Sequence, residues 1–491
     1  LPGELAVALN GVCESFGDAI ALSNGECSLS YRLLAELAGR AAGELRRAGL
    51  APNEPVHVRV SNHPRDLAAF LGVWNAGGVA VPVHRNAPEG VLSKLGDKTR
   101  ARFLVDMQGA DSTPRVSAIA TVAPPHRPLL DDAAFIIFTS GSTGAPKGVV
   151  VSHRAFRGKI EQIDSLLEFQ SNDRILLVLN ITFSFGLWVS LLTLLRGGRL
   201  FMQEKFDPET FLDTLVDQQI TRVGMVPTMM RILFSNPQYC LNSYTAASQG
   251  SPHQILIGGE SLGSSLAAAI RQRFSGTRLI DIYGLTETAT CDFFSFPEDA
   301  VRYPGCVGRP SPKVEFRIVA GDGAEAESGS TGELQISSPY LMRGYLDDPE
   351  LSAAAFSGGW FKTGDLARTV DASVVEIMGR SKELISRGGN KVTPGEIEQL
   401  ICTHPDVAAA MAVGVADALL GERIHLLVVF GAGKSLGRAE LEGFVKNKLE
   451  KFKWPDAYYT ARELPLGRTG KSDRGQFKSM IEAGVISPIP H

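Results

Sequence analysis

The sequence predicts an α/β architecture with parallel layers, then an antiparallel β-rich stretch, then a small α+β C-terminal domain. Three observations carry this expectation. Short apolar runs recur between helical patterns, at Phe103–Val105, Ala134–Phe138, Ile175–Leu179, Val223–Val226, Ile255–Ile257 and Leu279–Ile282. They end at loops rich in Gly, Ser and Thr, as buried parallel strands do. After about residue 291 the pattern changes, and Lys313–Val319 and Glu333–Ser337 alternate or run apolar between Gly-rich turns, the mark of antiparallel strands. It changes again near Gly379. From there GRSKELISRGGNKVTPGEIEQL leads into a helix, strand-like Ala408–Val415 and Ile424–Phe430, and a helix near Arg438–Leu449. The expected division is 1–379, with 291–379 as its β-rich part, and 380–491.

At the front, Ser30 is a plausible N-cap for a helix whose apolar face is Leu33, Leu34, Leu37, Ala38, Ala41 and Leu45, with Gly49 as its stop. The loops that follow the parallel strands matter most, because ligands in such sheets bind at the carboxyl ends of strands.

Composition narrows the class. The 491 residues carry 49 Lys+Arg against 53 Asp+Glu, with 44% hydrophobic and 21% charged residues. The length exceeds one compact core, and a net charge of −4 gives no clustered basic footprint for nucleic acid. No run of roughly 18 uncharged apolar residues is present, so no membrane span is expected. The opening LPGELAVALNGVCESFG lacks the basic and apolar regions of a signal peptide. Cys13, Cys27, Cys240, Cys291, Cys306 and Cys402 form no CxxC pair, and the histidines show no ligand spacing. Reduced thiols in a cytoplasmic enzyme are the expectation.

The run Phe135–Phe138 leads straight into Thr139-Ser140-Gly141-Ser142-Thr143-Gly144-Ala-Pro-Lys147-Gly. Hydroxyls and glycines at this density expose the N–H and O–H donors a triphosphate needs, and Lys147 adds a cation. A Walker A loop requires G-x-x-x-x-G-K-[ST]. Here Gly144 precedes Lys147 by three and Gly148 follows it, so the P-loop kinase reading fails on spacing.

The segment FTSGSTGAPKGVVVSH, residues 138–153, resembles the phosphate-loop motif of the superfamily of acyl-CoA synthetases, adenylation domains and firefly luciferase. LIGGE, with Gly258, Gly259 and Glu260, and DIYGLTE, with Tyr283, Gly284, Thr286 and Glu287, resemble the two segments that sandwich adenine in that family. The Tyr283 ring offers a stacking face, and the Gly258-Gly259 backbone admits a flat ring closely. The resemblance makes Glu287 a Mg²⁺ ligand, a role that suits one carboxylate beside phosphates. Asp365 in WFKTGDL matches the residue that grips the ribose hydroxyls, and a carboxylate is a fitting double acceptor for a diol. Arg380 in GRSKE resembles the arginine reaching ribose or phosphate, and Lys382 matches the hinge about which the small domain pivots. Lys471 in LPLGRTGKSDR resembles the lysine that binds both the substrate carboxylate and the α-phosphate.

The resemblance runs from LSYRLLAELAGRAAGELRRAGL (residues 29–50) to Lys471. It implies a large N-terminal adenylate-forming domain of two α/β subdomains plus a β-rich one, over which a mobile C-terminal domain closes. It also implies the chemistry. A carboxylate attacks ATP to give an acyl-adenylate and pyrophosphate, with Lys471, the Thr139–Thr143 hydroxyls and Mg²⁺ on Glu287 offsetting charge. A thiol then takes the acyl group through a tunnel beside Ser386–Lys391. The implied cofactors are ATP, Mg²⁺ and CoA, or the phosphopantetheine of a separate carrier protein in place of CoA.

For the acid, the resemblance points to Asn180–Trp188. Amino-acid-activating domains carry an Asp there, whereas Ser184 stands here without charge, and a buried ammonium needs a counter-ion. Phe183-Ser184-Phe-Gly-Leu and Phe452-Lys-Trp-Pro455 resemble benzoate-type CoA ligases, although GRSKELISRGGNKVTP is closer to the general acyl-CoA ligase pattern. An aryl or hydrophobic acid is expected, with Trp188, Ile282 and Thr290 as further lining candidates. A non-catalytic nucleotide-binding protein would have no need of Lys471, and nothing in the sequence points to luciferase-like oxidation.

Overall fold

A computed structural model describes residues 3–108, 113–139, 146–235, 252–431, 433–467 and 472–490. Within them the strands form four sheets. The largest orders Arg309–Pro310, Phe293–Ser295, Arg278–Tyr283, Gln254–Gly258, Arg222–Met225, Arg174–Leu177, Arg199–Met202, Ile20–Ser23 and Ser28–Ser30. From Arg278–Tyr283 through Ile20–Ser23 the pairing is parallel, and antiparallel strands close both edges. The second sheet has Pro55–Val60, Val79–His84, Phe103–Asp106 and Ala133–Thr139 in parallel, extended by antiparallel Lys147–Ser152, Gly344–Tyr345 and Arg115–Ala118.

All six expected apolar runs are strands of these two sheets, since each is buried on both faces. The helix Tyr31–Arg47 starts where Ser30 accepts the Leu33 N–H. It buries Leu34, Leu37, Ala38, Ala41 and Leu45 in the core that the two sheets share.

A third sheet is antiparallel, with Glu315–Val319 on Gly332–Ser337 and that strand on the long hairpin of Trp360–Asp371 and Val374–Arg380. The strands Phe293–Ser295 and Arg309–Pro310 still belong to the parallel sheet, so purely antiparallel structure starts at Glu315. The fourth sheet joins Ile385–Arg387, Asn390–Val392, Val407–Asp417, Gly421–Phe430 and Ala457–Ala461, under the helices Pro394–Ile401 and Arg438–Lys446. It has its own core of Ile385, Val392, Ile397, Ile424, Leu426 and Leu441 among others. The molecule is thus a mixed α/β fold with a large N-terminal part and an α+β C-terminal part. No helix among the described residues is long and apolar enough to cross a membrane.

Candidate active site

Three of the sheets carry predicted residues that fall within the described part of the chain, in two neighbouring groups. Thr139 and Lys147 end the two strands of the phosphate-loop hairpin and face each other in register. Ser140, Gly141, Ser142, Thr143 and Gly144 lie outside the described residues. The Lys147 Nζ sits 5.2 Å from the centre of the Tyr345 ring. Gly344–Tyr345 pairs with Val149 and Val150 beside that hairpin, and the Tyr345 hydroxyl donates to Glu287 Oε1 at 3.1 Å. The Met342 N–H holds the Glu287 carbonyl at 2.7 Å. Lys147, Tyr345 and Glu287 therefore form one continuous surface. Sequence reasoning missed Tyr345, because nothing chemical marks a tyrosine that is brought in only by strand pairing.

A second group lies where Arg278–Tyr283 meets the long hairpin of the third sheet. The Tyr283 hydroxyl donates to Asp365 Oδ2 at 2.6 Å, and Arg380 Nε lies 3.1 Å from Oδ1. Asp365 is 3% exposed, and burial pushes its carboxyl upward while Arg380 and Tyr283 pull it back. Burial and the adjacent Asp365 charge raise the Tyr283 phenol well above its usual range, which keeps it a donor. Each carboxylate oxygen accepts one such contact and keeps a lone pair for another donor. The ring of Tyr283 packs edge-on against Phe293.

The remaining adenine-segment residues divide. Gly258 ends its strand, and a Cβ there would fall 2.4 Å from the Ile282 carbonyl oxygen, so close strand packing already requires glycine. Gly259 has φ 85°, a left-handed geometry that glycine adopts without strain. Glu260 does not stand free. Its Oε2 accepts from the Thr228 hydroxyl at 2.7 Å and lies 3.6 Å from Arg231, while Oε1 accepts the Ser472 N–H at 2.7 Å. Lys471 lies outside the described residues, but its neighbour Ser472 is thus held at the end of the strand Gln254–Gly258. Lys382 is exposed on the turn Ser381–Glu383, directly after the strand that ends at Arg380. Arg474 links that turn to the last helix, 3.5 Å from Glu383 and 2.7 Å from Glu398.

The acid-pocket candidates gather at the start of the helix Ser184–Leu195. Ser184 Oγ is 3.3 Å from Thr286 Oγ1, which ties that helix to the YGLTE segment. Phe183 and Ser184 are partly exposed. Trp188 is fully buried and stacked on Phe185 with centroids 5.6 Å apart, so it backs the wall instead of lining it. Ile282 and Thr290 are also buried, at 5% and 4% exposed.

The hairpin loop 284–292 is built under tension. Ala289, Thr290 and Cys291 all have positive φ, at 58°, 92° and 31°. Left-handed non-glycine residues cost about 1–3 kcal/mol each and persist only where the surroundings over-determine them. Asp292 supplies much of that restraint. Its Oδ1 meets Lys159 Nζ at 2.7 Å with both side chains wholly buried, and its other oxygen accepts from Thr288. Burial pushes the Asp292 carboxyl upward and Lys159 opposes it. Neither Lys159 nor Asp292 carries any motif, and the pair is visible only once the chain is folded.

Comparison with known proteins agrees with this geometry. Residues 9–346 match the AMP-binding enzyme family, and residues 396–471 match the AMP-binding enzyme C-terminal domain. Relatives include an indoleacetate–CoA ligase of Aromatoleum aromaticum, 29% identical over 93% of this chain and 94% of its own length. A feruloyl-CoA synthase of an Amycolatopsis species is 28% identical over 94% and 95%. ATP-bound MatB from Rhodopseudomonas palustris superposes with a TM-score of 0.85 at 26% identity, over 97% of this chain and 99% of that one. With a family model covering more than half of its length, the chain belongs to the AMP-binding, adenylate-forming enzymes.

Proposed function

We propose that the protein joins a carboxylic acid to AMP and then passes the acyl group to the thiol of CoA. The observation that carries this reading is the gathering of Lys147, Tyr345 and Glu287 from the phosphate-loop side with Tyr283, Asp365 and Arg380 from the hairpin side. The first set suits phosphates, the second a ribose. Relatives named as CoA ligases support CoA as the acceptor, and the indoleacetate and feruloyl enzymes among them support an aryl acid. The uncharged stretch of Phe183 and Ser184, backed by Trp188, agrees with an aryl or hydrophobic substrate.

The acid carboxylate attacks the α-phosphorus of ATP, the bond to the β-phosphate oxygen breaks, and pyrophosphate leaves. The thiol then attacks the acyl carbon and AMP departs. In this scheme Arg380 and Tyr283 hold the oxygens of Asp365 so that their remaining lone pairs accept from the ribose diol. Thr139 and Lys147 line the phosphates, and the motif gives Ser140, Gly141, Ser142, Thr143 and Gly144 the same task. Lys471 offsets the repulsion between carboxylate and α-phosphate. The region from residue 380 onward pivots at Lys382 between the two steps. Glu287 fits a Mg²⁺ site: its Oε1 accepts from Tyr345, and its Oε2 has no hydrogen-bond donor among the described residues. Those residues contain no cluster of three or more His, Cys, Asp or Glu, so a cation here would depend on phosphate oxygens and this one carboxylate. Bound there, the ion would neutralise charge on the phosphoryl oxygens.

The test is acid-dependent pyrophosphate release with ATP and Mg²⁺ over benzoates, cinnamates, fatty acids and amino acids, with and without CoA, beside Lys471→Ala. Release with an aryl or hydrophobic acid, an acyl-CoA product and near loss in the variant are expected. Release without a CoA product would move the reading to carrier-protein loading. No release with any acid would overturn it.

A further inference from the structure

We infer that the buried Lys159–Asp292 ion pair is a positioning element that sets the loop carrying Glu287 against the phosphate-loop hairpin. The inference rests on the ligase reading and goes beyond it by naming two residues that touch neither substrate nor metal.

The geometry supplies the link. The helix His153–Leu167 begins directly after the hairpin strand Lys147–Ser152, with the Ser152 side chain capping it at the Ala155 N–H. Six residues into that helix, Lys159 reaches Asp292 at 2.7 Å. Asp292 closes the loop 284–292, its N–H donating to the Tyr283 carbonyl at 2.7 Å. Its second carboxylate oxygen accepts from Thr288, the residue next to Glu287. Lys159 thus lies on the helix that continues the strand starting at Lys147, and Asp292 grips Thr288, the residue next to the metal candidate.

A role confined to stability explains the arrangement less well. A buried ion pair is weak support for a fold, because well-packed apolar residues of like volume often serve as well or better. What apolar residues cannot supply is the directed contact to Thr288. That contact restrains a loop whose next three residues, Ala289, Thr290 and Cys291, all take left-handed backbone. Gly284 shows how tightly the loop closes, since a Cβ there would lie 2.3 Å from the Cys291 nitrogen. Without Asp292 the loop keeps the Met342 N–H on the Glu287 carbonyl but loses its hold at Thr288, which frees the Glu287 side chain to turn from Tyr345 and the phosphate side.

The decisive variant is Lys159→Met/Asp292→Leu, which removes both charges together and leaves none orphaned. Thr288→Val, which keeps the ion pair and removes the Thr288 hydroxyl with its contacts to Asp292 and Leu285, is its companion. Thermal melting, amide hydrogen exchange across 284–292, and the Mg²⁺ dependence of pyrophosphate release are measured on the full chain. The double variant should melt as the wild type does, and Thr288→Val somewhat lower, since it leaves a buried Asp292 oxygen without its donor. Both should exchange faster in the loop under native conditions and need about tenfold more Mg²⁺, the usual scale for losing a group that orients a metal ligand. KM for the acid should move little. Wild-type exchange and wild-type Mg²⁺ dependence in both variants would overturn the inference, as would faster exchange without any change in Mg²⁺ dependence. Should the double variant fail to fold, Thr288→Val decides alone. If the wild type releases no pyrophosphate with any acid, the ligase reading falls, and loop exchange still decides whether the pair holds the loop.

Discussion

Asp365 shows how much one side chain does at this site. Both of its oxygens are engaged, by Tyr283 at 2.6 Å and Arg380 at 3.1 Å, and it is almost wholly buried. Tyr283→Phe would keep the ring and remove the donor, leaving a buried carboxylate oxygen short of one hydrogen bond. A hydrogen bond to a charged group is worth about 1.5–3 kcal/mol, so KM for ATP should rise on the order of tenfold while KM for the acid stays put. Steady-state kinetics in each substrate checks this. Glu287→Gln is expected to act differently, keeping a group for Tyr345 to donate to but weakening cation binding. Its defect should shrink as Mg²⁺ is raised, and a titration that shows no such recovery would remove Glu287 from the metal role. The sequence marks Asp365, Arg380, Glu287 and Lys147 as candidates because each sits in a local motif. Tyr345, Thr228 and the Lys159–Asp292 pair stayed hidden, since their contacts span from 32 to 133 residues.

Among the elements, the helix Ser184–Leu195 joins packing to the acid pocket most directly. Gly186 in its first turn leaves no room for a side chain, as a Cβ would fall 2.5 Å from the backbone oxygen of Asn180. Gly186→Ala should therefore destabilise by about 1–3 kcal/mol and shift Ser184 against Thr286. Gly11, on the helix Glu4–Phe16, has nothing within 4 Å of such a Cβ. There the same substitution should stabilise by about 0.5–1 kcal/mol, because helical alanine loses less entropy. Paired thermal melts separate the two. The elements were unevenly legible in the sequence. Strands with unbroken apolar runs, such as Ala133–Thr139, announced themselves. Pro55–Val60 and Val79–His84 did not, although they lie in the middle of a sheet. Their buried His57 and the Pro82 inside a strand are the residues that argue against a central strand. Their burial is set by neighbours that no local window contains.

At the scale of the whole molecule, stability should depend on pH through two buried imidazoles. His57 and His153 are 1% and 4% exposed, and burial pushes each down to about 4. Both are neutral in the fold near pH 6, whereas the unfolded chain takes up protons from about 6.5 downward. Their contribution is complete above that value and is lost as pH falls toward 4, on the order of 3 kcal/mol each. Asp281, raised to about 7 by burial, acts in the opposite sense over part of that range, so the effect is best read as a difference. Denaturant unfolding at pH 7 and pH 4.5 should show a smaller loss for His57→Gln than for the wild type. An equal loss would remove His57 as a source. The Glu260 contacts bear on how the C-terminal part meets the large N-terminal part. The Ser472 amide is a visitor to that carboxylate, whereas Thr228 and Arg231 are residents on the same side of the molecule. Under the proposed pivot at Lys382, losing the Ser472 amide would leave that charge with Thr228 and Arg231, so the socket could be emptied and refilled without stranding an ion in a dry place.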